Sequence, residues 1–496
     1  MIYKIPNIGF LCKYPRKYST QITPKPFHEI PGPKCLPIVG TLWKYLPLIG
    51  KYKFDRLHWN GFLKLKEFGP LVREEMIPGL PVVWVFKPED IEMVYRCEGR
   101  YPERRSHLAL QKYRLDRPEV YNSGGLLPTN GPEWWRLRRI FQKDLNKIQN
   151  VRSYLSKSDY VIKDFMECRI SKYQNDFLPE LDRLYLELTG LVAFDELLGC
   201  FSGKEIEPGS KMSELIDAVA VINGSLLKTD NGPQLWRKFD TPLYKKFCKA
   251  HLYLEEIAKD FVYKKVLQLE ENPSAAQRSL LKQYLLNEEL DIKDVIGMAA
   301  DLLLGGIHTM SYTSAFGLYH LSRNIPEQEI MFEELNSLMT RNDSITETML
   351  NQATYTRAVI KEIFRLSPIS VGVGRILAKD AVLSEYFVPS GTIVVTQNQI
   401  TCRLPEYFQN PEEFKPERWI RGNHLYKNIH PYLVLPFGHG PRTCIARRLA
   451  EQNFQLFLMN IIRRYKLEWK GDDVLDSISI QINKPDKMVQ IEFMER

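Results

Sequence analysis

The chain has 496 residues, 44% hydrophobic and 11% aromatic, which is ample material for a large packed core and unlike a disordered protein. A net charge of +8 is modest at this length and is no mark of a nucleic-acid binder, so no nucleic-acid partner is expected. The eight cysteines (Cys12, Cys35, Cys97, Cys168, Cys200, Cys248, Cys402 and Cys444) include no C-x-x-C pair, which leaves structural zinc and thioredoxin-like chemistry without support and fits a reducing compartment.

Lys4, Lys13, Arg16, Lys17 and Lys25 all precede Glu29, the first acid. This acid-poor, hydroxyl-containing start predicts a mitochondrial presequence over residues 1–18, although a frayed basic terminus shares the composition. No apolar run of about 20 residues follows that would span a bilayer. Residues 19–50, punctuated from Ile30-Pro31-Gly32-Pro33 to Gly40, read as an irregular, membrane-contacting lead-in, and 51–496 as one large domain.

Pro81–Phe86, apolar and β-branched, predicts a buried strand. After Asn130-Gly131-Pro132, Trp134 and Arg138 lie four apart and share a helix face; Trp135 and Arg139 have the same spacing. Long helices are expected over Met212–Leu227, Leu243–Leu269 and Asp294–Ile325. The last contains Gly305-Gly306, and two adjacent interior glycines cost a helix roughly 1 kcal/mol each, a cost that points to close approach of something flat. Gly306 and Thr309 are expected on one face, with His308 and Met310 on either side of Thr309.

Glu362 and Arg365 also share a helix face, though such pairs are common on surfaces. Strands are expected at Ile369–Leu377, which carries Arg375, at Phe387–Thr396 and over Ile478–Phe493. Between them, Phe437-Gly438-His439-Gly440-Pro441-Arg442-Thr443-Cys444 makes a tight loop before a helix expected from Ile445 to Leu467. Cys444 is thereby set at a helix N-terminus, where free N–H groups and the dipole favour a thiolate; an isolated cysteine there would more often be an inert buried thiol. The fold class expected is mainly α with small β-sheets, a single large helical domain with a β-rich edge.

The loop resembles the F-x-x-G-x-R-x-C-x-G signature of the cytochrome P-450 superfamily, with Phe437, Gly440, Arg442 and Cys444 in place and Ala446 at the final glycine. The resemblance covers the chain from about Ile30 to its end. It implies haem b with Cys444 as axial ligand and sole protein ligand to the metal, and Phe437, Gly438, Gly440 and Ala446 around it. Arg442, Trp134, Arg138 and Arg375 are implied at the propionates. Glu362, Arg365 and Arg418, the last in Phe414–Trp419, are implied as a buried network beneath the haem. Gly306 would leave a groove for O2, and Thr309 would support proton delivery. The family's usual acid before that threonine is replaced by His308, which either substitutes for it or has a structural or substrate-facing role.

Around the loop, Arg357, Lys361, Arg447 and Arg448 resemble the basic surface of mitochondrial members, although exposed arginines and lysines are ordinary. This implies NADPH-derived electrons delivered through a reductase and an adrenodoxin-like two-iron ferredoxin, with peripheral contact to the matrix side of the inner mitochondrial membrane. Pro436–Glu451 is similar to the insect mitochondrial ecdysteroid hydroxylases, which implies a sterol substrate and hydroxylation at carbon 22 of an ecdysteroid precursor. Two other readings stand beside this one: a haem-thiolate isomerase or dehydratase, and a non-catalytic haem sensor or sterol carrier.

Overall fold

The computed structural model describes residues 23–496 apart from 174, 202, 232–233 and 272–278. The expected presequence over 1–18 lies outside the described residues. The helices that position the site are α1 (Leu57–Phe68), α2 (Leu108–Leu115), α3 (Gly131–Leu145), α4 (Leu178–Phe194), α5 (Lys211–Asp230), α6 (Pro242–Glu271), α7 (Ile292–Arg323), α8 (Thr354–Leu366) and α9 (Arg447–Arg464). The strands are β1 (Leu71–Ile77), β2 (Leu80–Val85), β3 (Val373–Ile376), β4 (Ala381–Leu383), β5 (Tyr386–Val388), β6 (Ile393–Thr396), β7 (Tyr465–Trp469), β8 (Ser477–Ser479), β9 (Asn483–Pro485) and β10 (Ile491–Glu495). The mainly helical architecture with small sheets at its edge is the one expected.

Helix α7, 32 residues long, is the axis of the molecule. It is apolar on nearly every side rather than along one stripe, so it is covered on most sides except around Gly305, and α4 packs along it most extensively. Its start is fixed by a reciprocal cap: Asp291 accepts the Lys293 N–H at 2.9 Å, and Asp294 accepts the Asp291 N–H at 3.2 Å. It stops at Arg323 because Pro326 offers no N–H to carry the ladder on, and a separate helix, Ile325–Leu338, begins there.

The four-stranded sheet has the order β1-β2-β6-β3, with β2 and β6 parallel and the other pairs antiparallel. Its registers, Val83↔Val394 and Arg375↔Val394, set Arg375 beside the buried middle of β6. The lead-in lies against this sheet: Arg73 N–H donates to Pro31 O at 2.9 Å, and a Cβ on Gly32 would fall 1.8 Å from the Arg73 carbonyl. Only glycine permits that approach.

Three strands, β1, β4 and β7, were not legible in advance. In β1, Arg-Glu-Glu interrupts the apolar pattern, yet the strand pairs with β2 and buries Leu71 on one face and Val72 with Glu74, bound to Lys64, on the other. The helix expected to reach Leu467 ends at Arg464, because Tyr465–Trp469 pairs with β10 and alternates buried Tyr465 and Leu467 with exposed Lys466 and Glu468. Among the described residues no helix is long and apolar enough to cross a membrane.

Candidate active site

The loop before α9 is closed by its own backbone. Cys444 N–H donates to Phe437 O at 2.8 Å, Thr443 N–H to Gly440 O at 3.0 Å and Gly438 N–H to Leu435 O at 3.1 Å. Gly438 and Gly440 have φ of +70° and +74°, and a Cβ on Gly440 would stand 2.5 Å from a Glu98 carboxylate oxygen. Phe437 packs edge-on against Phe364 of α8, and the Arg447 guanidinium covers its ring. Ala446 is the residue capping α9, so Cys444 stands just before the helix.

Burial pushes the Cys444 thiol up, while the Ala446 N–H and the nearby Arg138 guanidinium pull it down without prevailing. The helix end alone therefore does not ionise this sulfur, contrary to the expectation above. A bound metal cation would, because a coordinating thiol is deprotonated outright. Cys444 is desolvated by the surrounding protein yet only partly covered, so its side chain keeps accessible surface. Among the described residues no three His, Cys, Asp or Glu side chains gather as a metal site.

Four guanidiniums converge near this loop. Arg442 lies on the Trp134 ring at 4.0 Å and donates to Thr129 O at 2.8 Å and Asn130 Oδ1 at 2.7 Å. Arg138 donates to Thr443 O and Gln142 Oε1 at 2.5 and 2.6 Å. Arg104 donates twice to Leu127 O, at 3.0 and 2.6 Å. Arg375 pairs with Glu98 and donates to His439 O at 3.2 Å. Burial, then the neighbouring arginines, lowers Arg442 to about 8; burial first lowers Arg104 and Arg138 to about 10 each. Arg442 Nη1 is buried without a hydrogen-bond partner among the described residues.

Buried like charges of which only Arg375 has a carboxylate in ion-pair contact among the described residues are costly unless an anion joins them. The two propionates of a haem are anions of the right charge, and the lone sulfur is the right donor, so the residues present fit that group. Trp134 is buried and its partner Arg138 faces the loop, whereas Arg139 pairs with Glu289 at the surface. That resolves the one-residue ambiguity in favour of Trp134 and Arg138. Arg104 was not legible: it stands in no spaced motif, and only the loop that leads into α2 brings it here. Replacing Arg104 with leucine should speed haem loss roughly tenfold, the value of one charged hydrogen bond. Soret decay in the presence of a haem scavenger measures this, and a rate within twofold of the parent would place Arg104 outside the cofactor shell.

On α7 the open position is Gly305, not Gly306. A Cβ on Gly305 would meet nothing within 4 Å, whereas one on Gly306 would stand 2.7 Å from Thr189 Oγ1 of α4. At about 100° per residue, a spacing of four leaves Gly305 about 40° from Thr309, and a spacing of three leaves Gly306 about 60° off on the other side, under α4. Thr309 Oγ1 donates to Gly305 O at 2.5 Å, so the hydroxyl borders the open face.

His308 points elsewhere. It is 1% exposed, stacks on Tyr312, has Nδ1 3.3 Å from Asn223 Nδ2 of α5, and has Nε2 3.8 Å from Asp182 of α4. Burial, then Lys484, lowers His308 to about 3, and burial raises Asp182 to about 7 although Ser311 Oγ donates to it at 2.5 Å. The separation is too long for a hydrogen bond, and an imidazole held neutral makes no ion pair. His308 therefore belongs to the α4–α5–α7 junction.

Beneath the loop, Glu362 accepts from Arg365 Nε and Nη2 at 2.9 and 2.8 Å, Arg418 Nε at 3.3 Å, Trp419 Nε1 at 2.9 Å and Lys415 N–H at 3.0 Å. Glu362 and Arg365 are both 0% exposed, so this is no surface pair. Of the four basic residues named for a partner surface, Lys361, Arg447 and Arg448 are exposed, but Arg357 spends its guanidinium on the carbonyls of Leu350 and Asn351.

The family model for Cytochrome P450 matches residues 30–493. The protein named Cytochrome P450 302a1, mitochondrial, from Drosophila melanogaster is 46% identical over 95% of this chain and 96% of its own length. From the same organism, Probable cytochrome P450 301a1, mitochondrial, is 31% identical over 90% and 83% of the two chains, and Ecdysone 20-monooxygenase is 30% identical over 89% and 84%.

Proposed function

Since this chain belongs to the cytochrome P450 family and is a haem-thiolate monooxygenase, we propose that it hydroxylates a sterol, an ecdysteroid precursor at carbon 22, inside the mitochondrion. The observation that carries the reading is the Thr309 hydroxyl on an open stretch of α7, held to Gly305 O, in a chain whose Cys444 side chain keeps accessible surface. The names of two relatives support the compartment, and that of a third, an ecdysone monooxygenase, supports the substrate class. Exposed Lys361, Arg447 and Arg448 around the Cys444 loop support steering by an acidic two-iron ferredoxin, with a reductase passing on electrons from NADPH. Peripheral contact with the inner membrane on its matrix side belongs to the same proposal.

When bound, the haem supplies the activation of O2: substrate C–H, O2, two electrons and two protons give an alcohol and water. The protein would supply the rest. Cys444 would hold the group through an electron-rich sulfur donor. Arg442, Arg138, Arg104 and Arg375 hold the carboxylate edge of the cofactor. Gly305 keeps side-chain bulk off the open face, and the Thr309 hydroxyl offers a proton there. A neutral His308, turned into the helix junction, does not fill the place of an acid, so Thr309 carries that task with solvent.

Reconstitution with a two-iron ferredoxin and its reductase, a panel of sterols and mass spectrometry of the product tests the proposal. A single 22-hydroxylated product that depends on ferredoxin is expected, and Thr309→Ala should divert electrons to hydrogen peroxide at the expense of product. Haem binding without ferredoxin-supported turnover of any sterol would favour a sensor or carrier, and product formed without reductant an isomerase or dehydratase.

A further inference from the structure

A cleft of about 1200 Å³ opens between α1, the C-terminal half of α7, the end of α8 and the segment around β8 and β9, and nothing in the reaction above uses it. Its floor holds five buried apolar or aromatic side chains, Phe316 and Tyr319 of α7, Leu366 of α8, Phe414 and Leu475, beside the buried amides of Gln399 and Asn483. Its lip carries Trp59, Leu63 and Val474, which are 55%, 37% and 64% exposed. The chain on either side of Lys51 and Lys53, which line the cleft, leaves Leu46, Leu48, Ile49 and Phe54 in solvent as well. Apolar side chains gathered at the mouth of such a cleft mark a binding surface rather than scattered exposure.

The charges are asymmetric. Seven lysines and arginines line the cleft against four carboxylates. Arg56 is paired with Asp476 and Asp486, Arg403 with Glu412, Lys487 with Asp473 and Lys415 with Glu327. Lys51, Lys53 and Arg323 are exposed and have no carboxylate within ion-pair distance among the described residues. Of the lining carboxylates only Glu413 lacks an ion-pair partner among the described residues, so the unmatched charge at the rim is three cations against one anion. That composition disfavours the chain's own basic first residues as occupant, and an uncharged sterol would leave the cations without a role.

The geometry points to one anionic phospholipid in this cleft, its acyl chain against Phe316, Tyr319 and Leu475 and its headgroup held by Lys51, Lys53 and Arg323. The volume exceeds the roughly 300–1,000 Å³ of pockets for drug-sized ligands and suits a longer amphiphile. The apolar lip lets the lipid pass from a bilayer without crossing water, and anionic leaflets draw basic residues to their surface. Occupancy would brace the same helix that carries Thr309 and the end of the helix that carries Glu362.

The test uses the haem-loaded full chain and dihexanoyl phosphatidylglycerol below its micelle concentration, with dihexanoyl phosphatidylcholine and inorganic phosphate as comparisons and thermal denaturation as the readout. Saturable stabilisation by phosphatidylglycerol is expected, with phosphatidylcholine binding at least about tenfold more weakly. Lys51→Glu with Lys53→Glu should weaken phosphatidylglycerol roughly tenfold or more. Val474→Trp, at the exposed lip, should block it while leaving the charges in place. Both variants should keep the parent carbon monoxide spectrum, which reports an intact fold. Equal binding of phosphatidylcholine, an equal shift with inorganic phosphate, indifference to Val474→Trp, or binding only to assembled vesicles would each overturn the proposal, as would no binding at all.

Discussion

Cys444→Ser should fold, yet lose at least about a thousandfold in product formation, equivalent to about 4 kcal/mol of activation barrier. It should also lose the strongly red-shifted Soret band of the reduced, carbon monoxide-bound protein. The loop does not depend on the sulfur: it is held by Cys444 N–H to Phe437 O, Thr443 N–H to Gly440 O and Arg138 to Thr443 O, none of which involves Sγ. Serine also fits the space, so the stability cost should stay below about 1 kcal/mol. What changes is the donor. A thiol raised by burial still yields a thiolate to a metal cation, and a thiolate donates electron density that promotes O–O cleavage. A serine hydroxyl, far less acidic in the same buried place, remains a weak neutral donor. A folded serine variant that keeps the red-shifted band, or turns over within tenfold of the parent, would remove Cys444 from the iron.

The parts of this site that could be read from sequence are those whose geometry is local. A turn of two glycines and a proline before a helix places Cys444 whatever the rest of the chain does, and three-residue spacing places Glu362 beside Arg365. The parts that could not be read depend on what crosses the helix. Gly305 and Gly306 are equivalent in sequence, and only the passage of α4 over Gly306, with Thr189 against it, leaves Gly305 as the open one. His308 occupies the position of an acid in the chain, but Asn223 on another helix and the Tyr312 ring hold it in the interior. Arg104 is set by a loop and recognised only by the company of three other guanidiniums. The same limit explains β1 and β7, whose charged outward residues hide strands that exist because a partner strand is there to pair with them.

Glu362→Ala should destabilise the protein by about 3–5 kcal/mol, a large fraction of the roughly 5–15 kcal/mol that holds a folded domain together. The carboxylate takes five donors from four residues, and Arg365 and Arg418 would both be left buried with their charge uncompensated. Arg365 would keep its bonds to the carbonyls of Cys402, Pro411 and Glu413, which satisfy its N–H groups but not its charge. The expected result is a protein recovered largely without haem and inactivated at markedly lower temperature, because the network joins α8 to the segment just before the Cys444 loop. Arg418→Met should cost less, since Glu362 then keeps Arg365, and adding it to Glu362→Ala should cost less than the sum of the two. Haem content after purification and the thermal inactivation midpoint of the three variants decide the matter. A Glu362→Ala protein within about 1 kcal/mol of the parent, or strict additivity with Arg418→Met, would mean that the ion network is not what supports the loop.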